Sequence, residues 1–167
     1  MQQWEMDLLQ SAVDREVAER VRAAVARLLK CDNYLLEVDA NERALSHRLG
    51  MYLQDVFPEW NVDCEYNRDG VDPKRLEINP ENVRSDDDRG TTVYPDVIVH
   101  QRGPGPNLLA IEIKKANGGN EETDLRKLRG MLLELKYVHA LFIRFNTGAS
   151  YGVSDLRWVS MSDREHR

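Results

Sequence analysis

Three charged residues stand inside a stretch that otherwise has the composition of a β-hairpin. The segment VYPDVIVHQRGPGPNLLAIEIKKA, residues 93–116, carries Asp96 in its first half and Glu112 and Lys114 in its second. Such side chains are depleted from strands, whose pleated, half-buried surface suits β-branched and aromatic residues. Residues two apart in a strand share a face. Glu112 and Lys114 therefore point to one side with Ala110, while Ile111 and Ile113 point to the other, toward the core. In the first strand Asp96 shares a face with Tyr94 and Ile98, opposite Val97 and Val99.

The connection QRGPGPN centres the hairpin near Pro104. Symmetric antiparallel pairing about that centre sets Asp96 opposite Glu112 and Tyr94 opposite Lys114. A slip of one residue would put the two carboxylates on opposite faces. Directly opposed residues have Cβ atoms about 5 Å apart, and like charges there are destabilising. A cation between them removes the penalty. A hard divalent ion with oxygen ligands fits, since Mg²⁺ commonly uses one or two carboxylates and keeps several waters.

The flanking sequence must supply the elements that hold these residues. Residues 4–30 read as one long helix, with Leu9, Val13, Val17, Val21, Ala24 or Val25, and Leu28 at three- and four-residue steps. Its stripe either packs on the core or pairs with a second copy. A second helix begins near Asn41, carries Leu45, Leu49, Leu53 and Val56 on one face, and stops at Pro58; Asp39 followed by Glu42 has the spacing of a capping box. Residues 61–68 alternate Val62, Cys64 and Tyr66 against polar partners and read as a strand. Turn signals then fill the interval to Val93, with minor structure at Arg75–Ile78 and an acidic run, Asp86–Asp88. After the hairpin come a helix over about 121–137, with Asn120 as its N-cap, a doubly buried strand YVHALFIRFN, a weaker strand DLRWVSM and a frayed tail over 163–167. The order α-α-β-loop-β-β-α-β-β describes a mixed sheet flanked by helices in one α/β domain spanning 1–167.

Composition narrows the function classes. The chain has 167 residues, 41% hydrophobic and 31% charged, which suits a soluble folded domain and argues against disorder. Cys31 and Cys64 form no CxxC pair and read as two buried or half-buried free thiols of a reducing compartment. No signal-peptide pattern or membrane-length apolar run is present, so a cytoplasmic location without membrane contact is expected. The net charge of −6 gives no overall basic surplus for phosphate binding. Any nucleic-acid function must use a local basic patch, bridging metal ions or a partner.

Pro95-Asp96, then Glu112-Ile113-Lys114 after a hairpin, with Glu42 on an upstream helix, resembles the PD-(D/E)XK nuclease superfamily, the restriction-endonuclease-like fold. The resemblance covers residues 41–146 and leaves the 4–30 helix as an addition. It implies Mg²⁺-dependent hydrolysis of phosphodiester bonds, with Mn²⁺ as a substitute ion and DNA a better candidate than RNA. Asp96, Glu112 and the backbone carbonyl of Ile113 would hold the metal, and Glu42 would be an accessory ligand. Lys114 would orient or deprotonate the attacking water, with its pKa lowered by the metal and partial burial. Of the polar residues in DLRKLRG (Asp124, Arg126, Lys127 and Arg129), Lys127 is the candidate for a phosphate contact or for support of the site.

Other signals are weaker. Lys115 points away from Lys114 and reads as a solvated or phosphate-facing charge. His47 and His139 lack ligand spacing, RGPGPN lacks the lysine of a phosphate-binding loop, and no Gly-x-Ser-x-Gly elbow occurs. A homodimer or a subunit of a larger system is expected, because one small acidic domain offers little surface to hold a duplex. A noncatalytic subunit retaining the nuclease fold is the alternative. The acidic charge and the long first helix favour it, and the intact Asp/Glu/Lys set opposes it.

Overall fold

The computed structural model describes residues 1–66 and 95–162 in full, and the backbone alone at 68–69, 72–73, 75–76 and 91–92. The N-terminal apolar stripe is divided between two helices, α1 (Gln3–Gln10) and α2 (Arg15–Cys31), so the single helix expected over 4–30 is corrected. The break has local causes. The Ser11 Oγ donates to the Asp7 carbonyl and closes α1, and the Asp14 side chain accepts from the Val17 N–H and opens α2. Val13, read as part of the stripe, lies between the caps and is 97% exposed.

In α2, Val17, Val21, Val25 and Leu28 are buried with Ala18 and Ala24. Each buried Val or Leu contributes roughly 1.5–3 kcal/mol relative to exposure. That stripe joins the chain's own core, so it does not form the self-association surface that the spacing allowed. A short helix, α3 (Asn33–Glu37), precedes α4 (Glu42–Val56). The N-cap of α4 is Asn41, whose side chain accepts from the Ala44 N–H. The Asp39–Glu42 capping box is therefore corrected: Glu42 is the first helical residue, and Asp39 takes a left-handed φ of 56°. Asp32 accepts from Arg48 Nε at 2.9 Å and from the Tyr52 hydroxyl, tying α2 to α4.

Five strands form the main sheet: β1 (Asn61–Cys64), β2 (Val97–His100), β3 (Asn107–Lys115), β4 (His139–Asn146) and β5 (Gly152–Trp158). They lie in sequence order across the sheet. All neighbours are antiparallel except β3 and β4, which are parallel and joined through α5 (Glu121–Leu133). The chain is thus α/β, with a five-stranded mixed sheet flanked by helices.

Alternation along the central strands fills two cores. Val97, Val99, Ile111, Ile113, Leu141 and Ile143 pack with α1, α2 and α4 on one face. Ile98, Ala110, Ala140 and Phe142 meet Leu128 and Met131 of α5 on the other. The Trp158 indole donates to the Leu8 carbonyl at 3.0 Å and seats α1 against the edge strand β5.

Several expected boundaries shift. The first strand stops at Cys64, because Glu65 takes a left-handed φ of 50°, and the last strand starts three residues before Asp155. The α5 helix ends at Leu133 rather than near 137. Arg75–Leu76 pairs with Thr91–Thr92, while Ile78, Asp86–Asp88, Tyr94 and the tail over 163–167 lie outside the described residues. Both cysteines are free, and they are exposed rather than buried. The Cys64 thiol is nevertheless pushed up to about 11, by desolvation and by the charges of Asp63, Asp96 and Glu65. No described helix is long and apolar enough to cross a membrane.

Candidate functional site

The register of β2 and β3 is the symmetric one. Val97 pairs with Ile111, Ile98 with Ala110 and Val99 with Leu109, and the ladder shifts only at His100. Continued one step, that register sets Asp96 opposite Glu112. Asp96 directly precedes β2, after a buried Pro95 that needs no ladder N–H at this first position. Its Oδ2 accepts from the Ile113 N–H at 2.7 Å, and its carboxyl group shares a hydrogen bond with that of Glu112.

Glu112 is one of three buried polar or charged residues among those described, with 2% of its surface exposed. Burial first, and the Asp96 charge second, push its pKa well above the ordinary carboxylate value. Asp96 is raised too, chiefly by desolvation; the Ile113 N–H and the Lys127 charge oppose the rise. Two carboxyl groups so placed resist losing both protons, because the second ionisation would bring like charges together out of water.

The cations nearby come from β3 and α5. Lys127 Nζ lies 2.8 Å from Glu112 Oε1. The ammonium is thus the close partner of a buried carboxylate oxygen. Lys114 Nζ lies 2.7 Å from Asp124 Oδ2. Desolvation alone would lower the Lys114 pKa, but the hydrogen bond and charge of Asp124, with Glu42 and Asp96 behind it, raise it instead. Asp124 thus holds the Lys114 ammonium above its ordinary range. Lys127 behaves alike: desolvation opposes its charge, and Glu112, Asp96 and Asp124 together raise its pKa all the same.

Glu42 reaches the same corner from α4. Its Oε1 accepts from the Lys115 N–H at 3.0 Å, and its charge acts on both Asp96 and Lys114. Lys115 turns away, as expected, with Nζ 2.9 Å from Asp39 Oδ1. Gly118 closes the corner: a Cβ there would stand 2.6 Å from Lys114 Cδ and 3.0 Å from Glu42 Oε1. Ile113 is tied to the site by its N–H, the bond to Asp96 Oδ2.

Asp96, Glu112, Ile113, Lys114, Glu42 and Lys127 thus meet at one end of the β2–β3 pair. His47 is exposed on α4, and His139 lies beside Trp158 on the edge of β4, with Asp14 3.9 Å away. Asp124 is the site residue that sequence reasoning passed over. Its signal was present: Glu121, Asp124 and Lys127 recur every three residues, so charges intrude on the stripe that must face the sheet.

Two adjacent carboxylates suit a hard cation with oxygen ligands. Among the described residues no group of three or more His, Cys, Asp or Glu side chains is gathered as a complete metal cage. Mg²⁺ needs no such cage, since one or two carboxylates with waters and substrate oxygens suffice. Comparison with protein-family models, curated proteins and solved structures returns no match for this chain.

Proposed function

We propose that this chain is a divalent-metal-dependent nuclease of the restriction-endonuclease-like type, hydrolysing phosphodiester bonds in nucleic acid, with DNA favoured over RNA. One observation carries the reading. The half-buried Asp96 and the buried Glu112 meet as a carboxyl pair at adjacent antiparallel strands, with Lys114 two residues beyond Glu112 on the same face. The order α4-β1-β2-β3-α5-β4 around that pair is also what the PD-(D/E)XK resemblance implies.

Asp96 and Glu112 would hold Mg²⁺ or Mn²⁺, with the Ile113 carbonyl completing the protein's share and Glu42 acting from the side. Such an ion, when bound, polarises the phosphoryl oxygen and lowers the pKa of a coordinated water. The chain's own residues do the rest. Asp96 is oriented by the Ile113 N–H. Lys114 is aimed by Asp124, which places its ammonium to orient water or a phosphate oxygen by donating hydrogen bonds. Lys127 balances Glu112 and supports the site from α5. A homodimer, or a place in a larger assembly, would supply the duplex-holding surface that a chain of net charge −6 lacks.

The second reading, a noncatalytic binding or assembly subunit on the same fold, draws on the Lys127–Glu112 pair, because the dyad already has a cationic partner within the chain. Cleavage of labelled DNA in Mg²⁺ and Mn²⁺ separates the two. Asp96→Asn keeps an acceptor for the Ile113 N–H and removes the charge, so the expected result is at least a hundredfold loss of cleavage with an unchanged melting curve. Equal cleavage by Asp96→Asn and the parent would sink the site assignment. Absence of cleavage by the parent with either ion would leave the noncatalytic reading.

A further inference from the structure

A second charged cluster lies on the same sheet face, two strands from the carboxylate dyad. Phe142 of β4 is the register partner of Glu112, and Arg157 of β5 is the partner of Phe142. Arg144 is the partner of Lys114. Strands are about 4.8 Å apart, so the Arg157 Cα stands about 10 Å from that of Glu112. Both guanidinium groups lie over the Phe142 ring, at 5.5 Å for Arg144 and 5.3 Å for Arg157.

The two arginines share one anion. Arg144 contacts one carboxylate oxygen of Glu121, the first residue of α5, and Arg157 contacts the other. Arg157 also has Asp155 at 3.3 Å. Each guanidinium offers five N–H donors in a fixed fork, and one carboxylate cannot occupy two forks. Arg144 Nε is buried with no hydrogen-bond partner. A buried donor left over in this way calls for a further acceptor.

We propose that Arg144 and Arg157 form a clamp for a backbone phosphate of the nucleic-acid substrate, and that Glu121 is the internal carboxylate which the phosphate displaces. The identity of the ligand rests on the nuclease reading; the clamp rests on the geometry. A phosphodiester presents two charged oxygens, as the Glu121 carboxylate does, and arginine forks match either group. Stacking on one aromatic ring holds both guanidiniums in place, so less side-chain entropy is lost when the phosphate arrives. The Cα span from the dyad is only about 10 Å. The clamp therefore grips the strand close to the bond being cut.

The test is binding without cleavage. Full-length protein in EDTA is titrated into fluorescein-labelled oligothymidylate, and anisotropy is read over a range of salt concentrations. Arg157→Ala should weaken binding about tenfold and reduce the salt slope by about 0.7, the value for one single-strand phosphate contact. Arg157→Lys should keep the slope while losing the fork, and it decides the matter if the alanine variant melts early. Glu121→Gln should tighten binding several-fold at low salt. Unchanged affinity and slope in both Arg157 variants, or no binding by the wild type in EDTA, overturns the clamp and leaves a structural ion-pair cluster. The nuclease reading fails separately: loss of binding in Arg157→Ala without Mg²⁺-dependent cleavage by the parent retains the clamp and removes the hydrolase. Cleavage that depends on Asp96, with binding indifferent to Arg157, does the reverse.

Discussion

Lys127→Met isolates the balance of charge inside the site. The substitution keeps the length of the side chain and removes the cation 2.8 Å from Glu112 Oε1. Breaking a buried ion pair by deleting one partner costs about 3–5 kcal/mol, because a charge is left uncompensated. Two features set the cost at the low end. Lys127 keeps 21% of its side chain in solvent, and Glu112, whose pKa burial already raises, relieves part of the penalty by taking up a proton once the ammonium is gone. The expected loss is about 3 kcal/mol, or roughly 6–12 °C in melting temperature for a domain of this size.

Two further arms make the result interpretable. Adding Glu112→Gln to Lys127→Met should restore most of the loss, since the buried charge that Lys127 balanced is then gone; the double-mutant cycle should show coupling of about 2 kcal/mol. Mg²⁺ at a hundred times its dissociation constant should stabilise Lys127→Met by about 2.7 kcal/mol, and should not stabilise the double variant. Thermal melts followed by circular dichroism, with and without Mg²⁺, read all of these. A Lys127→Met melt within a degree of wild type would refute the buried-pair energetics. A normal loss that Mg²⁺ fails to rescue would refute the dyad as a metal ligand.

Gly118→Ala should be costly because its Cβ would meet Lys114 Cδ at 2.6 Å and the Lys115 carbonyl at 2.9 Å; overpacking of about 1–3 kcal/mol is expected, read by urea denaturation, with reduced cleavage from a displaced Lys114. His139 has its pKa lowered by desolvation, against the pull of Asp14. Its neutral form is favoured in the folded state, so this contribution to stability is present above about pH 6.5 and is lost as the pH falls through the lower folded value. Melting temperature against pH should therefore drop on acidification more steeply in wild type than in His139→Gln, and parallel curves would remove His139 as the cause.

The part of the site that was legible in sequence is the part governed by short-range rules. A symmetric turn and strict alternation around Val97 and Ile111 leave one register that buries both apolar rows, and that register brings Asp96 to Glu112. The break after α1 was less visible because Leu9, Val13 and Val17 keep helical spacing across it. The deciding features were the Ser11 and Asp14 caps, which outweigh a single apolar residue that ends up in solvent. Asp39 and Asn41 were both competent N-caps by type; Lys115, distant in sequence, holds Asp39 and leaves Asn41 to cap α4. Asp124, Glu121, Arg144 and Arg157 take their roles from α5 crossing the sheet, a tertiary fact that periodicity within one element does not contain.

Charge explains why these residues are arranged in neutralised sets. On the nuclease reading, a chain of net charge −6 must concentrate positive charge where the strand would pass. Unpaired lysines and arginines packed against one another would destabilise the empty protein, so each is stored against an internal acid: Lys127 on Glu112, Lys114 on Asp124, and Arg144 with Arg157 on Glu121. On the nuclease reading, binding is then an exchange of carboxylates for phosphates and metal ion, and only the difference between those partners appears as affinity. That accounting makes two demands of any mutant series. Acid-to-amide changes at Glu121 should strengthen binding, whereas the same change at Glu112 should remove the metal and the cleavage with it. Identical effects at the two positions would mean that the sheet face carries one undivided cluster of charge, with no division between chemistry and grip.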